Sequence, residues 1–326
     1  MHDAVIAAEA CPPDDTTLSA TSPAATGQQP VATGFIADFG LVSVQLDRER
    51  SLIRCDLHDK LRSHAGTAPV GLLATVMDIV TSDPALVAAV PDWTATQDLA
   101  LHAAEWITEG PVVVDSRLIR AGKRVVVVSA DVYDGNGCED LSELAAAIDS
   151  GSARKSRGEP TLAARGLVTF ARLPRSAAHD ADAYTPDRWI GRVRTHPVTA
   201  IEESLFSRLG IRVVDGAQGI LELDRTPFVA NQIGTIMGGA QALLAECAAQ
   251  AMRPELVAAD IQMNFLAQVR VGPARTYGSV IRDAADHSVL SIRLVDAGAD
   301  DMILALTTVT LSRPGSLVDR PIRSTR

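Results

Sequence analysis

Two acidic residues stand in the middle of apolar segments that are each about 15 residues long. Asp78 is flanked by threonine, valine, methionine and isoleucine, and Glu246 by alanine, leucine and cysteine. Neither segment has a polar side, which is typical of a helix buried in a core. A carboxylate buried there without a cationic partner has a raised pKa, which suits a general base or a nucleophile. The alternative is that each acid lies where its helix reaches solvent or the rim of an interface.

A glycine-containing turn precedes the second of these segments. Residues 231–239 read Asn-Gln-Ile-Gly-Thr-Ile-Met-Gly-Gly and lead into the predicted helix. Glycines at the start of a helix let a ligand approach backbone N–H groups, which the helix dipole makes electropositive. An oxyanion that forms from a carbonyl would be stabilised there, and loss of one such donor typically costs about 3–4 kcal/mol of barrier. Gly238 is therefore a candidate donor for an oxyanion hole.

Both acids belong to an internal repeat that covers most of the chain. The segments 71–78 and 239–246 resemble each other and lie 168 positions apart. Downstream, the segments 98–111 and 260–273 both run from aspartate to a Gly-Pro pair over 13 positions. Two divergent copies in one chain predict an internal pseudo-dimer, so sites at the interface between the copies need not be identical.

Alternating polar and apolar residues predict strands on both sides of each helix. Only one helix is strongly indicated per copy, so we expect an α+β fold rather than a doubly wound one. In it, a long central helix is wrapped by a curved antiparallel sheet, and the two copies pair edge to edge, which removes one exposed edge from each. Copy one opens with residues 39–44, and its predicted strands are 52–57, 93–103, 112–119, 124–133 and 161–173.

The composition suggests where these two copies begin and end. The first residues are rich in alanine, proline, serine and threonine without periodicity, which is typical of a disordered tail. Copy one carries a polar insertion at about residues 138–160, predicted to be a surface excursion. The predicted boundaries are an N-terminal tail at 1–33, domain 1 at 34–174, a linker at 175–198, domain 2 at 199–314 and a C-terminal tail at 315–326.

The overall composition excludes several classes of function. The net charge of −10 argues against a nucleic-acid partner. The four cysteines have no CxxC spacing, so neither a zinc site nor a disulfide framework is indicated, and no cofactor is expected. We find no apolar run of the roughly 18 residues that span a bilayer, and no signal-peptide pattern. These features predict a cytoplasmic protein, and the three lysines among 30 basic residues hint at a GC-rich bacterial genome.

The turn before the second helix resembles the signature of the hotdog-fold acyl-CoA thioesterases, in particular the phenylacetate-pathway-like group. That signature is Asn-x-x-Gly-x-x-His-Gly-Gly, with an acid nine positions after the histidine. The resemblance covers about residues 35–313 and implies a tandem double hotdog. The histidine position holds Met237 in copy two and Pro69 in copy one. The other matching positions are Asn231, Gly234, Gly238, Gly239 and Glu246 in copy two, and Ser63, Gly66, Val70, Gly71 and Asp78 in copy one.

The resemblance implies an active site that is shared between the two copies. In the family, the glycine after the histidine position donates its N–H to the thioester carbonyl, and the asparagine orients that turn. The acid comes from the facing subunit, and a hydroxyl on the next strand positions the water. Carried over to this sequence, Asn231 and Gly238 of copy two join Asp78 and Thr96 of copy one in a complete site.

The second composite site implied by the resemblance is incomplete. It joins Ser63 and Val70 to Glu246 and Ala258, so it lacks the asparagine, one glycine and the hydroxyl. We therefore predict one competent site and one that has partly decayed. The predicted catalytic residues are Asp78, Gly238, Asn231, Thr96 and Glu246, and the predicted substrate-binding residues are Gly239, Met237, Ser63, Val70 and Gly71.

The implied function is hydrolysis of an acyl-CoA thioester, either by carboxylate-activated water or by attack of the carboxylate itself. The expected partner is the acyl-CoA substrate, and homo-oligomers of the double hotdog are possible by analogy. An alternative from another class is a non-catalytic protein that binds acyl-CoA or lipid, because the histidine is missing. A hydratase on the same fold would need an Asp/His pair at the helix start, which we do not find.

Other polar residues are weaker candidates. His64 and His102 are near the predicted site in sequence, but a lone histidine is more often structural. Arg120, Lys123 and Arg124 form a basic turn before a strand. Most such turns are merely solvated, although this one could hold the phosphates of coenzyme A.

Overall fold

A computed structural model describes residues 34–151, 158–174, 185–196, 198, 201–231 and 233–314. The predicted tails at 1–33 and 315–326 lie outside the described residues. Four α-helices are described: α1 Val70–Ala89, α2 Leu141–Ser150, α3 Leu205–Leu209 and α4 Gly238–Met252. The strands are β1 Val42–Gln45, β2 Arg50–Cys55, β3 Trp93–Ala103, β4 Val112–Ala121, β5 Val125–Asp134, β6 Thr161–Leu173, β7 Val193–Thr195, β8 Arg212–Asp215, β9 Ile220–Leu223, β10 Val257–Phe265, β11 Ala274–Asp283, β12 His287–Asp296 and β13 Met302–Ser312.

All of these strands belong to one antiparallel sheet. Its order is β7-β1-β2-β4-β5-β6-β3-β10-β13-β12-β11-β9-β8. The two copies meet where β3 pairs with β10, with Ala100 opposite Gln262 and Leu101 opposite Ile261. The helices α1 and α4 pack against the inner face of this sheet and against each other. The predicted α+β class and the tandem arrangement are therefore confirmed.

The first central helix is longer than the sequence analysis predicted. It runs for 20 residues, where the apolar segment predicted about 15, and it contains Pro84. A proline has no N–H to bond the carbonyl four residues earlier. That carbonyl, of Val80, accepts a hydrogen bond from the Ser116 hydroxyl at 3.3 Å instead, so the helix continues.

This length changes one prediction. The sequence analysis found no apolar run long enough to span a bilayer, but α1 meets that criterion, with a mean hydropathy of 1.5 over 18 residues. Of that window, 72% is buried inside the protein. We therefore assign α1 as a core helix, since such a helix passes the same test of length and composition.

The two central helices approach each other closely through paired small residues. A Cβ atom on Gly71 would lie 2.8 Å from the backbone of Leu243, and one on Gly239 would lie 2.8 Å from the Cβ of Thr75. Real Cβ atoms do not approach this closely, so both positions need glycine for packing. Gly71 matches Gly239 and Thr75 matches Leu243 between the copies, so the helix contact follows the pseudo-two-fold symmetry.

Two segments outside the repeat contact the sheet: one supplies a helix that packs on it, and the other supplies an edge strand. The insertion predicted as a surface excursion contains α2, whose first N–H groups are capped by the side chain of Asp140. Leu141 and Leu144 of this helix pack on the outer face of β1, β2 and β4. In the predicted linker, β7 pairs with β1, and Arg194 of β7 forms an ion pair with Asp83 of α1.

Candidate active site

A carboxylate and a hydroxyl from the first copy meet inside the sheet. Asp78 lies in the middle of α1, and the Thr96 hydroxyl on β3 donates a hydrogen bond to its Oδ1 at 2.6 Å. A β-bulge interrupts the pairing of β3 with β6 between Thr96 and Asp98. Bulges redirect side chains and are frequent beside active sites. Burial raises the pKa of Asp78 to about 6, and the hydrogen bond from Thr96 opposes part of that rise.

The start of α4, from the second copy, faces this carboxylate. Gly238 is the first residue of the helix, and a Cβ atom placed on it would lie 3.8 Å from Oδ2 of Asp78. The same Cβ would lie 3.2 Å from Cζ of Phe265. Within the described ranges, no group accepts a hydrogen bond from the Gly238 N–H. The acid of one copy and the helix start of the other are thus brought together, as the resemblance implied.

Asn231 shapes the turn that leads into α4. Its Oδ1 accepts hydrogen bonds from the N–H groups of Ile233 at 3.1 Å and Thr235 at 3.2 Å. Its carbonyl accepts from the N–H of Gly234 at 2.9 Å. Gly234 has a φ of +76°, which favours glycine, and its own carbonyl accepts from Arg225 Nε at 2.5 Å. Asn231 therefore acts on the turn, and through it on the position of the helix start.

Met237 occupies the position where the family has histidine. Its N–H donates to the Val229 carbonyl at 2.9 Å, and its carbonyl accepts from the N–H of Gln241 at 3.1 Å. Its side chain packs against the hydrophobic core and makes no cap hydrogen bond to the helix. The backbone of Met237 thus makes the hydrogen bonds that begin the helix, and its thioether side chain adds only an apolar contact.

The second composite site has a different geometry. Oε2 of Glu246 accepts a hydrogen bond from the N–H of Gly71 at 2.8 Å, and Oε1 accepts from that of Val70 at 3.3 Å. The Glu246 side chain is completely buried. Burial raises the pKa of this carboxyl to about 7, and the two backbone hydrogen bonds oppose part of that rise. Val70 and Gly71, predicted as substrate-binding residues, thus donate to a side chain of the protein itself.

Ser63 maintains a turn that is the counterpart of the Asn231 turn. Its hydroxyl lies 2.9 Å from that of Thr67, and its N–H donates to the Thr67 carbonyl at 2.8 Å. The N–H of Gly66 donates to the Ser63 carbonyl at 3.0 Å, as Gly234 does to Asn231. The role of Ser63 in substrate binding stays a prediction, and its contacts here are those of a turn residue.

The acids that recur at the start of the Gly-Pro segments join the two copies. Asp98 accepts a hydrogen bond from the side chain of Asn264, and Asp260 accepts one from the N–H of Ala103 at 2.9 Å. His102 is exposed, with its ring 3.9 Å from Asp260. These contacts lie along the β3–β10 pairing rather than at the Asp78 carboxylate.

The remaining candidates are exposed, and the sequence analysis missed one aromatic residue. His64 lies on an exposed turn, and Arg120, Lys123 and Arg124 lie on the exposed β4–β5 hairpin. Phe265, whose ring contacts the start of α4, was not singled out. Its counterpart in copy one is Ala103, so a residue-by-residue comparison of the copies would have shown an aromatic side chain beside only one of the two helix starts.

Metal-ligating groups and a cavity were also sought in the described residues. No group of three or more histidine, cysteine, aspartate or glutamate side chains there could hold a metal ion. A cavity of about 670 Å³ is lined by Gly34, Asp38, Ile201, Arg208 and Phe228, among others. None of the candidate catalytic residues lines this cavity.

Comparisons with known proteins bear on the fold and on part of the sequence. No family model matches the chain. Over 97 residues, it is 28% identical to a presumed esterase from Saccharolobus solfataricus. That alignment covers 30% of this chain and 65% of the relative, so the chain spans just under two thirds of that protein.

Solved structures resemble the chain over most of its length. One is a presumed oleoyl thioesterase from Lactobacillus plantarum, with a TM-score of 0.50 and 9% identity over 85% of this chain and 98% of that one. Another is an acyl-ACP thioesterase from Bacteroides thetaiotaomicron, with a TM-score of 0.49 and 10% identity over 81% and 98% of the two chains. The chain therefore has the fold of the hotdog thioesterases, as the resemblance predicted.

Proposed function

We propose that this protein is a thioester hydrolase that acts on an acyl-CoA at one composite site. The site joins Asp78 and Thr96 of the first copy to Gly238 and Asn231 of the second. One observation carries the proposal: the Asp78 carboxylate, held by Thr96 at 2.6 Å, faces the N–H end of α4 across Gly238. The presumed oleoyl thioesterase that shares the fold is named for the same reaction class, which supports the proposal.

The thioester carbonyl oxygen would accept a hydrogen bond from the Gly238 N–H. Negative charge that develops on this oxygen is stabilised by that donor and by the helix dipole. Because Gly238 has no Cβ, the carbonyl can approach the backbone in a space that also borders Asp78 and Phe265. Asn231 acts as a positioning residue, since it fixes the turn that places this N–H.

In the water route, Asp78 accepts a proton from a water molecule as the water oxygen attacks the carbonyl carbon. The tetrahedral intermediate then collapses, and the C–S bond breaks. The coenzyme A sulfur leaves as a thiol with the proton that Asp78 had taken. In the alternative route, the carboxylate itself attacks the carbonyl carbon, the C–S bond breaks, and coenzyme A leaves as a thiolate. Water then hydrolyses the mixed anhydride, which restores the Asp78 carboxylate, releases the acid and supplies the proton that the thiolate takes up.

The electrostatics of Asp78 fit the role of a base. An aspartate with a pKa of about 6 is mostly ionised at pH 7, yet it accepts a proton more readily than an ordinary aspartate. The Thr96 hydroxyl holds Oδ1, so Oδ2 is the oxygen left for water or substrate. A carboxylate in this environment is poised for proton transfer near neutral pH.

A second candidate function is binding of acyl-CoA or lipid without catalysis. Met237 in place of the family's histidine favours it, because no imidazole is available at the helix start. The two hypotheses differ in one observable, which is release of thiol.

A cytoplasmic setting is supported by the three described cysteines, which are all free thiols.

The test is a thiol-release assay over short, long and aromatic acyl-CoAs, with wild type and Asp78→Asn compared. General-base catalysis typically contributes about 10²–10⁴-fold, so we expect kcat to fall by at least about 100-fold in the variant. The melting temperature should stay equal or rise, because burial disfavours the charged carboxylate that the substitution removes. Release at the wild-type rate by Asp78→Asn contradicts the proposed site. Tight binding with no thiol released from any acyl-CoA supports the binding alternative.

A single-turnover experiment in H₂¹⁸O separates the two chemical routes. If water attacks the thioester, the carboxylic acid product carries one ¹⁸O atom from the first turnover. If Asp78 attacks and water then opens the anhydride at the aspartyl carbon, the oxygen of the first product comes from the aspartate, and the label enters the enzyme's carboxyl group. Label in the enzyme therefore demonstrates the covalent route, whereas opening at the acyl carbon labels the product as the water route does. Mass spectrometry of the product and of the Asp78 peptide reads out both outcomes.

A further inference from the structure

The second composite site contains a group that the first one lacks. The N–H groups of Val70 and Gly71, which we call the α1 amide pocket, both donate to the Glu246 carboxylate, at 3.3 and 2.8 Å. In the first site, the corresponding acid bonds the Thr96 hydroxyl, and the Gly238 N–H keeps no acceptor within the described residues. The two helix starts are therefore equivalent in position, but the N–H groups of α1 are bonded to a carboxylate and the Gly238 N–H of α4 is not.

Two sequence differences produce this contrast. Glu246 is one methylene longer than Asp78, so its carboxylate reaches the facing helix start. The strand position that holds Thr96 in copy one holds Ala258 in copy two, so no hydroxyl draws Glu246 away from the amides. The carboxylate is completely buried, so no solvent competes for the two N–H groups.

We propose that Glu246 is an internal hydrogen-bond acceptor that closes the α1 amide pocket, so that of the two central helices only α4 keeps an open start within the described residues. Calling the open one a reaction centre depends on the proposed function, but the closure of the other does not. In this assignment Glu246 is not a second catalytic base. Removal of its carboxylate converts the α1 amide pocket into a site for a small carboxylate anion.

The physical basis is the pairing of buried polar groups. Two buried N–H groups at a helix start lose their acceptor if the Glu246 carboxylate is removed, and such unpaired donors are strongly unfavourable. Truncation to alanine also leaves a void with the shape of the removed atoms. Internal voids of this kind bind small molecules that match them, and acetate matches the removed atoms from Cγ outward, since alanine keeps the Cβ.

The test uses Glu246→Ala and sodium acetate as the probe. We expect the variant to melt several degrees below wild type, and 100 mM acetate to restore a large part of that difference. Sodium chloride at the same ionic strength should not restore it, and the wild type should not respond to acetate beyond the effect of chloride. The control Glu246→Leu, which fills the void without an acceptor, should also show no acetate-specific shift.

The opposite results would overturn the assignment. They are a Glu246→Ala variant as stable as wild type, or equal responses to acetate and chloride. If the variant does not fold in buffer, recovery of folded protein on dialysis into acetate, but not into chloride, is the expected result, and failure in both counts against the assignment.

A binding measurement on the wild type gives an independent readout. Titration with a non-hydrolysable thioether analogue of an acyl-CoA should give one molecule bound per chain, and two molecules per chain would overturn the closure. Absence of any binding refutes the proposed function, and the acetate result then still decides whether Glu246 closes the pocket.

Discussion

The hydrogen bond between Thr96 and Asp78 makes a quantitative prediction about pH dependence. The bond is 2.6 Å long, and it lowers the pKa of Asp78, which burial raises. The net pKa is about 6. Thr96→Val removes the hydroxyl and keeps the shape of the side chain. The ionised form of Asp78 then loses a donor, while burial is unchanged, so the pKa must rise.

The size of the rise follows from the strength of such bonds. A hydrogen bond to a charged group contributes about 1.5–3 kcal/mol, and one pKa unit corresponds to about 1.4 kcal/mol. The pKa of Asp78 in the variant should therefore rise by about one to two units. For a rise of about 1.5 units, the ionised fraction at pH 6 falls from about one half to about 3%, which is a loss of about 16-fold.

The assay is the pH profile of kcat/KM for thiol release, measured from pH 5 to 9. The acid limb of the wild type should have its midpoint near 6, since that is the pKa of Asp78. In Thr96→Val the midpoint should move to about 7–8, and in the control Thr96→Ser, which keeps the hydroxyl, it should stay close to the wild-type value. An unmoved midpoint in a folded Thr96→Val variant would refute the role of this bond.

Three further predictions test other parts of the structure. Gly238→Ala should lower kcat/KM by about 100-fold, because the added methyl group blocks access of the thioester carbonyl to an oxyanion donor. The Cβ would occupy the space beside the carboxylate, 3.8 Å from Oδ2 of Asp78. A value of kcat/KM within threefold of wild type would contradict this prediction. Asn231→Ala removes the acceptor of two N–H groups, so chemical denaturation should show about 1–3 kcal/mol less stability, and kcat should fall more than KM rises. Glu246 has a folded pKa of about 7 against an ordinary value of 4.5, so protonation stabilises the fold. That contribution to the free energy of unfolding is present below about pH 4.5 and is lost as the pH rises through 7. Between these two pH values, urea melts should therefore show that the wild type loses about 3 kcal/mol of stability relative to Glu246→Gln. Parallel plots of stability against pH for the two proteins would contradict this prediction.

Much of the fold was predictable because its signals are local. Period-two alternation predicted β3 and β6 with the observed bounds, since side chains on a strand point alternately to the core and to solvent. The apolar segments predicted both central helices. The predicted length of about 15 residues was too short for α1, which continues past Pro84 to Ala89. The carbonyl that Pro84 leaves without an N–H partner accepts from Ser116, a residue from a distant strand that no local pattern connects to it.

The pairing of the two copies was also accessible to sequence reasoning. Equal spacing from aspartate to Gly-Pro aligned the copies, and the resemblance placed Asp78 opposite Gly238. The contact of Phe265 with that helix start was missed, because it depends on where β10 ends relative to α4. The strand β7, in the predicted linker, follows from tertiary pairing with β1 rather than from its own three residues.

The sequence by itself determined that two acids stand at equivalent points of two buried helices, because residue type and spacing are carried by the chain alone. Which atoms each acid contacts was decided only by the tertiary structure. Asp78 meets a hydroxyl that a β-bulge supplies, and Glu246 meets two backbone N–H groups at the far helix start. The extra methylene of glutamate changes the contacts of the carboxylate only because the packed helices fix the distance from the acid to the facing helix start. That distance is a property of the fold.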